Sequence, residues 1–200
     1  MYDTSPDITA LISARICHDL ASPLGAIANG VELLELSGMA DTPESILLAD
    51  SVTAATARMA FIRMAYGSAS MSTMVGASKA QKILAGNFAE KKINIQWRVS
   101  QETPKPMIKL LFLLVQSVET ALPYGGEVDI HEKNGKYDIH TGAKAVRHDP
   151  VLWACLSHVS MPPNMTSAQV HFELARQQTA RLGRRVEVRV SETTLDITVV

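Results

Sequence analysis

The segment RICHDLASPLGAIANGVELL, residues 15–34, lies inside a longer helical pattern that organises the first part of the chain. Apolar residues recur at intervals of three and four positions from residue 8 onward, which is the spacing of an amphipathic α-helix. The members of this stripe are Ile8, Ile12, Ile16, Leu20, Leu24, Ile27, Val31 and Leu34. The pattern predicts one continuous helix that ends near Gly38, since glycine is a common C-terminal stop.

A second long helix is predicted to begin at Pro43, because Thr42 can act as its N-cap and proline suits the first helical position. Its apolar stripe comprises Leu48, Val52, Ala55, Met59, Ile62 and Tyr66. The two helices, each about 30 residues and about 45 Å long, form a hairpin that leaves half of each stripe uncovered. A twofold homodimer would cover both stripes as a four-helix bundle. A monomer whose C-terminal domain folds back over the hairpin is the alternative.

Composition and charge restrict the class of protein. The chain has 200 residues, of which 46% are hydrophobic and 20% charged, and these values suit a soluble globular protein. A formal net charge of -1 without a long basic stretch argues against a nucleic-acid partner. We find no apolar run of the ~20 residues needed to cross a bilayer and no signal-peptide pattern, so we expect a cytoplasmic protein without membrane contact. Cys17 and Cys155 lack a CxxC pair and are expected to be reduced, packed thiols.

The pattern changes after the Gly/Ser/Met-rich stretch at residues 67–78, and we place the domain boundary there, giving domains 1–75 and 76–200. The predicted elements of the second domain are helices at 79–91, 106–121 and 167–182 and strands at 93–99, 186–190 and 195–200. The fold class is therefore α+β, with a helical hairpin followed by an antiparallel or mixed sheet covered by helices.

The segment GEVDIHEKNGKYDIH, residues 126–140, predicts a β-hairpin, because Asn134-Gly135 is a strong two-residue turn signal and both flanks alternate. A two-residue turn fixes the cross-strand pairs. These are Lys133 with Lys136, Ile130 with Ile139, His131 with Asp138, and Asp129 with His140. Both histidines then lie on the polar face of the hairpin, paired with acids.

Five of the six histidines have structural explanations, whereas His18 does not. His131 and His140 are cross-strand partners, His148 and His158 lie in irregular segments, and His171 lies on a helix. The CxxH spacing of Cys155 and His158 lacks the further ligands that a metal site requires. His18 stands two positions from both Ile16 and Leu20, about 200° around the helix, and is predicted to face solvent.

Small residues surround His18. Its predicted face holds Arg15, Ser22, Gly25 and Asn29, and its flanks hold Ala21, Ala26 and Gly30. Glycine disfavours a helix by up to about 1 kcal/mol relative to alanine, so its presence here favours close approach by another protein. Pro23 cannot donate a hydrogen bond to the carbonyl of Asp19, and we expect it to bend the helix just after His18.

HDLASPL, residues 18–24, resembles the H-box HExxTPL of sensor histidine kinases, with Asp in place of Glu and Ser in place of Thr. LLFLLVQSVETALPYGGEVDI, residues 110–130, resembles the N-box segment of their ATPase domain, in which a helix is followed by a proline, glycines and a strand. The asparagine that binds metal in that box falls on Ser117, and the aspartate and second glycine of the next box fall on His140 and Lys144. Gly183 is the one glycine after Gly142, so a glycine-rich lid is missing. The resemblance implies an ATPase-like domain without its nucleotide site.

The combination is similar to the ChpT-type histidine phosphotransferases of alphaproteobacteria. This resemblance implies that His18 accepts a phosphoryl group from one receiver-domain aspartate and passes it to another, while Asp19 orients the imidazole or balances its charge. It also implies a homodimer whose partners are the receiver domain of a hybrid histidine kinase and those of response regulators, of the CckA, CtrA and CpdR types. No cofactor or metal is expected on this chain, since the receiver domain supplies Mg²⁺.

Phosphotransfer requires in-line geometry and close approach, so Ser22, Gly25, Ala26 and Asn29 are the expected docking floor for a receiver. Arg15 is expected to hold either the phosphoryl group or an acidic rim of the receiver. Two alternatives remain. An ATP-dependent sensor histidine kinase shares the H-box but needs the asparagine and the glycine lid. A non-catalytic dimeric adaptor would use the hairpin for assembly alone.

Overall fold

The computed structural model describes residues 7–39, 42–157 and 164–200. It divides into two compact units, Met1–Ser68 and Ala69–Val200. The first unit is helical and the second combines helices with a sheet, so the predicted α+β class is confirmed. His158, for which we predicted an irregular segment, lies outside the described residues.

The first unit is the predicted hairpin of two helices. Helix α1 (Ile8–Leu34) begins after Asp7, whose side chain accepts a hydrogen bond from the Ala10 amide. A π-helical turn follows, in which Gly38 has a φ of +84° that glycine adopts without a Cβ clash. Helix α2 (Pro43–Ala65) begins after the N-cap Thr42, as predicted. The helices have 27 and 23 residues rather than about 30. Helix α1 is shorter than predicted because residues 35–39 form the π-helical turn.

Helix α1 has two apolar faces, and the hairpin buries the one with smaller side chains. Ala10, Cys17 and Val31 are buried at spacings of seven and fourteen residues, in the hairpin where α1 packs against α2. Most of the predicted stripe is instead exposed, namely Ile8, Ile12, Ile16, Leu20 and Ile27 at 46–60% of their surface. The hairpin therefore leaves much of the stripe uncovered, as predicted, because one partner helix covers only one side of α1.

The second unit is built on a mixed five-stranded sheet. Its helices are α3 (Ala77–Phe88), α4 (Lys105–Ala121), α5 (Pro150–Ala154) and α6 (Val170–Arg181), with a 3-10 turn at Ser167–Gln169. Its strands are β1 (Met74–Val75), β2 (Ile93–Trp97), β3 (Thr103–Pro104), β4 (Gly126–Lys133), β5 (Lys136–Gly142), β6 (Val186–Val190) and β7 (Thr194–Val199). The order of the large sheet is β2-β4-β5-β7-β6, with only β2 and β4 parallel, and β1 pairs with β3 in a separate ribbon. Every predicted element is present, and its ends differ by at most three residues.

One face of the large sheet is buried and the other is polar. Val128, Ile130, Ile139 and Ile197 point into the core at 0–1% exposure. The adjacent helix α4 is buried along most of its length, including Lys109 and Ser117. Both cysteines are buried and free, as predicted, and burial raises the pKa of the Cys155 thiol to about 11.

The β4–β5 hairpin has the predicted register at all four predicted pairs. Asn134 and Gly135 adopt φ values of 53° and 76°, which the two central residues of a type I′ turn require. The side chain of His140 pairs with Asp196 of β7 rather than with Asp129, which binds Arg98 at 2.6 Å. This part of the prediction is wrong because β5 has a second neighbour, and His140 stands opposite Asp196 in that register.

Helix α2 is the one described helix long and apolar enough to cross a membrane, with a mean hydropathy of 1.3 over its most apolar window. Its sequence has no long uninterrupted apolar run, because alanine and hydroxyl residues alternate with the larger apolar ones. Its interior contains Asp50 and Arg58, and a charged side chain at the centre of a bilayer costs about 2.5–3.5 kcal/mol. We therefore describe α2 as a packing helix of the hairpin.

His171 of α6 is 1% exposed and stacks beside Phe172, with ring centroids 4.7 Å apart. Burial lowers the pKa of His171 to about 4. The unfolded chain therefore takes up a proton at a higher pH than the folded protein does. Stability associated with His171 is fully present above about pH 6.5 and falls as the pH drops towards 4.

We expect His171→Leu to reduce the loss of unfolding free energy between pH 6.5 and pH 4 by about 3 kcal/mol, because folding lowers the imidazole pKa from 6.5 to about 4. Urea denaturation of the second unit at a series of pH values measures this loss. His148→Gln, at an exposed position, is the control and should leave the pH profile of the wild-type protein unchanged. Equal pH profiles for His171→Leu and the wild-type protein would contradict the prediction.

Candidate functional site

His18 projects from the middle of α1 into solvent, with 84% of its side chain exposed. Its position follows from the helix: residues Ile16 and Leu20 lie about 200° away, and the buried seam at Cys17 lies about 100° away. The side chain makes no packing contact that would explain a histidine at this position. An exposed imidazole on a rigid helix is accessible to a second protein.

The carboxylate of Asp19 bridges two neighbouring side chains. Its Oδ1 lies 3.3 Å from Nδ1 of His18, and its Oδ2 accepts a hydrogen bond of 2.8 Å from Nε of Arg15. Because a carboxylate only accepts hydrogen bonds, this contact favours the neutral tautomer that carries its proton on Nδ1. The lone pair of Nε2 then points outward as a nucleophile.

The Arg15–Asp19 pair joins positions i and i+4 on the helix surface, with the two side chains 76% and 49% exposed. Exposed helical pairs of this kind stabilise a protein by about 0.3–0.5 kcal/mol. The pair therefore orients the Asp19 carboxylate but is easily exchanged for another partner. We did not predict this pair from the sequence, although the i, i+4 spacing of an arginine and an aspartate is a recognised signal for it.

The predicted docking floor continues from His18 towards the C-terminal end of α1. Ser22, Gly25, Ala26 and Asn29 are all exposed. A Cβ added at Gly25 or Gly30 would meet no atom within 4 Å, so no contact in the part of the chain that the structure describes explains why these positions are glycine. The structure leaves this part of the helix backbone accessible from outside.

Pro23 lies inside α1, and the helix continues on both sides of it from Ile8 to Leu34. Because proline has no N–H, the carbonyl of Asp19 loses its usual partner four residues later. The helix nevertheless continues past the proline. A bend at this point stays a prediction.

The structure gives the surroundings of Ser117, His140 and Lys144, the three positions that the resemblance predicts to replace nucleotide ligands of histidine kinases. Ser117 is fully buried, and its hydroxyl donates to the carbonyl of Leu113 at 3.1 Å. His140 pairs with Asp196 on the polar face of the sheet. Lys144 is exposed in the irregular segment that follows β5.

We predicted from the resemblance that a glycine-rich lid, which would supply backbone amides to phosphate groups, is missing after β5. Here the amides of Ala143 and Val146 donate to the carbonyls of Thr193 and Glu192, at 2.9 and 2.8 Å. The amide of Arg147 donates to the Ala121 carbonyl at 2.9 Å. Three amides are therefore engaged within the protein rather than directed at an open site.

Within residues 7–39, 42–157 and 164–200, no group of three or more His, Cys, Asp and Glu side chains could hold a metal ion. Near His18, the carboxylate in contact with the imidazole is that of Asp19.

Comparisons with known proteins identify relatives of both units. A family model of the histidine phosphotransferase C-terminal domain matches residues 77–194. The protein phosphotransferase ChpT of Brucella abortus (strain 2308) is 36% identical over 134 residues, 66% of this chain and 64% of that protein. The match therefore spans a little under two-thirds of that relative.

Solved structures resemble the chain over most of its length. A bacterial phosphotransferase has a TM-score of 0.71 and 26% identity, covering 100% of this chain and 98% of its own. Full-length ShkA in complex with AMPPNP has a TM-score of 0.50 and 13% identity, covering 96% of this chain and 45% of its own. The second likeness shows a shared fold alone.

The open space around two helical glycines generates a stability prediction. We expect Gly25→Ala and Gly30→Ala each to raise the free energy of unfolding by about 0.5–1 kcal/mol, because alanine loses less backbone entropy and meets no clash. Gly125→Ala is the control and should destabilise, since φ there is +79° and the new Cβ would overlap the Lys92 carbonyl. Chemical denaturation measures all three. A loss of stability in the two helical variants would show that another molecule packs on these glycines.

Proposed function

This chain belongs to the histidine phosphotransferase family, and we propose that it relays a phosphoryl group between receiver-domain aspartates through His18. One observation carries the proposal: an exposed imidazole in an H-box has Nδ1 held by Asp19, with Nε2 directed into solvent. Histidine is largely uncharged at neutral pH and is nucleophilic without a strong base. The protein is then a covalent carrier in a two-component phosphorelay.

The chemistry of the step requires little from this chain. The Nε2 lone pair attacks the phosphorus of an aspartyl phosphate, and a nitrogen–phosphorus bond forms. The phosphorus–oxygen bond to the aspartate breaks, and its electron pair leaves with the receiver carboxylate. Nδ1 keeps its proton, so the phosphorylated ring is positively charged and the Asp19 carboxylate stabilises it. Transfer to the second receiver reverses these events.

The docking floor of Ser22, Gly25, Ala26 and Asn29 supports a partner that must bring an aspartyl phosphate close to α1. In-line transfer is sensitive to displacements of about 1 Å, and small exposed side chains permit that approach. We propose that the partners are receiver domains of a hybrid histidine kinase and of response regulators, of the CckA, CtrA and CpdR types. The receiver pocket would supply Mg²⁺, and the relay would operate in the cytoplasm.

Several contacts favour a phosphotransferase over an ATP-dependent histidine kinase. The buried hydroxyl of Ser117 is engaged inside α4, and a serine cannot present the amide oxygen that an asparagine would direct at a metal ion. The amides of the segment after β5 are engaged as well. A kinase would need both sets of groups to bind nucleotide, Mg²⁺ and phosphates.

We also propose that the protein acts as a homodimer. The exposed stripe of α1 is continuous over about five turns from Ile8 to Ile27, and apolar patches of this extent mark association surfaces. A twofold axis along the stripe would place two hairpins in a four-helix bundle. His18 lies on the opposite side of α1 and would stay accessible in each copy.

We expect phosphate from a phosphorylated receiver domain to label wild-type protein at one site, His18, and ATP alone to label none. His18→Gln keeps a polar side chain on an exposed face and should change stability by no more than about 0.5 kcal/mol, yet labelling and onward transfer should both disappear. The label should be lost in acid and survive in base, as a phosphoramidate does.

His148→Gln is the matched control for the labelling experiment, because His148 is also exposed but lies outside any proposed site. It should accept phosphate as the wild-type protein does. Labelling of His18→Gln would reject the relay through His18. Self-labelling of the wild-type protein from ATP would support the kinase alternative, and absence of labelling from every receiver would support the adaptor.

The dimer is best tested on the exposed stripe. Val52 and Met59 are half-buried in the hairpin, and acidic residues there would also disturb its folding. We expect the double variant Ile16→Glu and Leu20→Glu to be monomeric by light scattering at micromolar concentration, while the wild-type protein is dimeric. Val151→Glu, at a 67% exposed apolar residue of α5, should stay dimeric. A monomeric wild-type protein would exclude the bundle.

A further inference from the structure

Arg15 is the one Lys or Arg side chain in α1, and it lies one turn before His18. Residues three apart on a helix have Cβ atoms about 5–6 Å from each other, within the reach of a guanidinium group. In the resting protein this group contacts Asp19 through Nε alone. Its terminal amino groups carry four further N–H donors, and none of the described contacts of Asp19 uses them.

Phosphorylation changes the charges around Arg15. A phosphoryl group on Nε2 adds up to two negative charges to a helix face that already carries the Asp19 carboxylate. The imidazole gains one positive charge, which lies against Asp19 at Nδ1. The phosphoryl oxygens then lack a cation on their own side of the ring, and Arg15 is the nearest one on this helix.

We propose that Arg15 exchanges partners during the relay, leaving Asp19 and binding the phosphoryl oxygens of phosphorylated His18. This inference rests on the proposed function and assigns Arg15 to the phosphoryl group rather than to an acidic rim of the receiver. The exposed Arg15–Asp19 pair is weak, whereas arginine binds phosphate through paired, charge-assisted hydrogen bonds. Asp19 keeps its contact with Nδ1 throughout the exchange.

The exchange determines how long the phosphoryl group stays on this chain. Arg15 stabilises the phosphorylated carrier relative to the aspartyl phosphate of the receiver, so its removal shifts the transfer equilibrium back towards the receiver. Arg15 also favours the dianionic form of the phosphoryl group, and the titration midpoint of this group should be lower with Arg15 than without it. A residue that only contacts the receiver would produce neither effect in the isolated protein.

The test uses full-length protein phosphorylated chemically with phosphoramidate, in the absence of any receiver. The variants are Arg15→Gln, Arg15→Lys, and the control Arg63→Gln, which removes an exposed arginine from α2. Phosphorus NMR follows the titration midpoint of the phosphohistidine, and proton–nitrogen spectra follow the Arg15 Nε–H resonance. Circular dichroism checks that each variant keeps the helical content of the wild-type protein.

We expect the Arg15 Nε–H resonance to shift on phosphorylation and the phosphoryl midpoint to rise in Arg15→Gln, with Arg15→Lys between the two and Arg63→Gln unchanged. With a phosphorylated receiver, Arg15→Gln should lower the equilibrium constant for transfer to His18 by about tenfold, a modest loss for a hydrogen bond between charged groups. The exchange would be overturned if the phosphoryl midpoint in Arg15→Gln equals that of the wild-type protein and the Arg15 Nε–H resonance does not shift on phosphorylation. This holds even if Arg15→Gln accepts less phosphate from the receiver.

The same design separates this inference from the proposed function. Chemical phosphorylation of His18 needs no receiver, so an effect of Arg15 on the phosphohistidine can be measured even where no receiver transfers phosphate. Failure of receiver transfer to wild-type protein counts against the relay alone. An unaltered phosphohistidine in Arg15→Gln, with normal receiver transfer to wild-type protein, counts against the exchange alone.

Discussion

The pitch of one helix controls the arrangement of this protein. Each residue of α1 turns about 100° from the last, so the seam at Ala10, Cys17 and Val31, the exposed stripe through Ile16, and His18 occupy three different sides. A one-residue insertion before His18 would move it towards the stripe. Packing within the hairpin, the proposed association and the proposed phosphoryl chemistry therefore fall on different surfaces of one helix.

Asp19 contacts both His18 and Arg15. It lies about 100° from His18 around α1, which brings one carboxylate oxygen to Nδ1, while its other oxygen reaches Arg15 one turn back. This contact favours the tautomer with the proton on Nδ1, on a side chain that is otherwise exposed. A fully exposed imidazole without such a neighbour would exchange between tautomers, and only part of the population would present Nε2 as a nucleophile.

The second unit has the fold of an ATPase-like domain. Its contacts at Ser117 and in the segment after β5 are made within the protein. The Ser117 hydroxyl donates a hydrogen bond to a carbonyl within α4. Backbone amides of the segment after β5 donate to carbonyls of other segments of the chain. These are stabilising interactions of the kind found in any packed domain. The same positions in a nucleotide-binding protein must leave donors unsatisfied until the ligand arrives, which costs stability in the free protein.

The sequence by itself determined the long helices and the strands of the large sheet, because local signals define them: the cap at Thr42 with Pro43, the Asn134-Gly135 turn with its register, and the periods of the long helices. The short helix α5 and the β1–β3 ribbon were not predicted. It also singled out His18, since helical spacing shows which side chains share a face. Tertiary structure decided which face of α1 is buried, because that depends on the surface α2 presents, and it decided that His140 pairs with Asp196 from a strand more than fifty residues away. The burial of His171 likewise depends on packing around α6. Such choices arise from contacts between distant segments, and no local pattern in the chain encodes them.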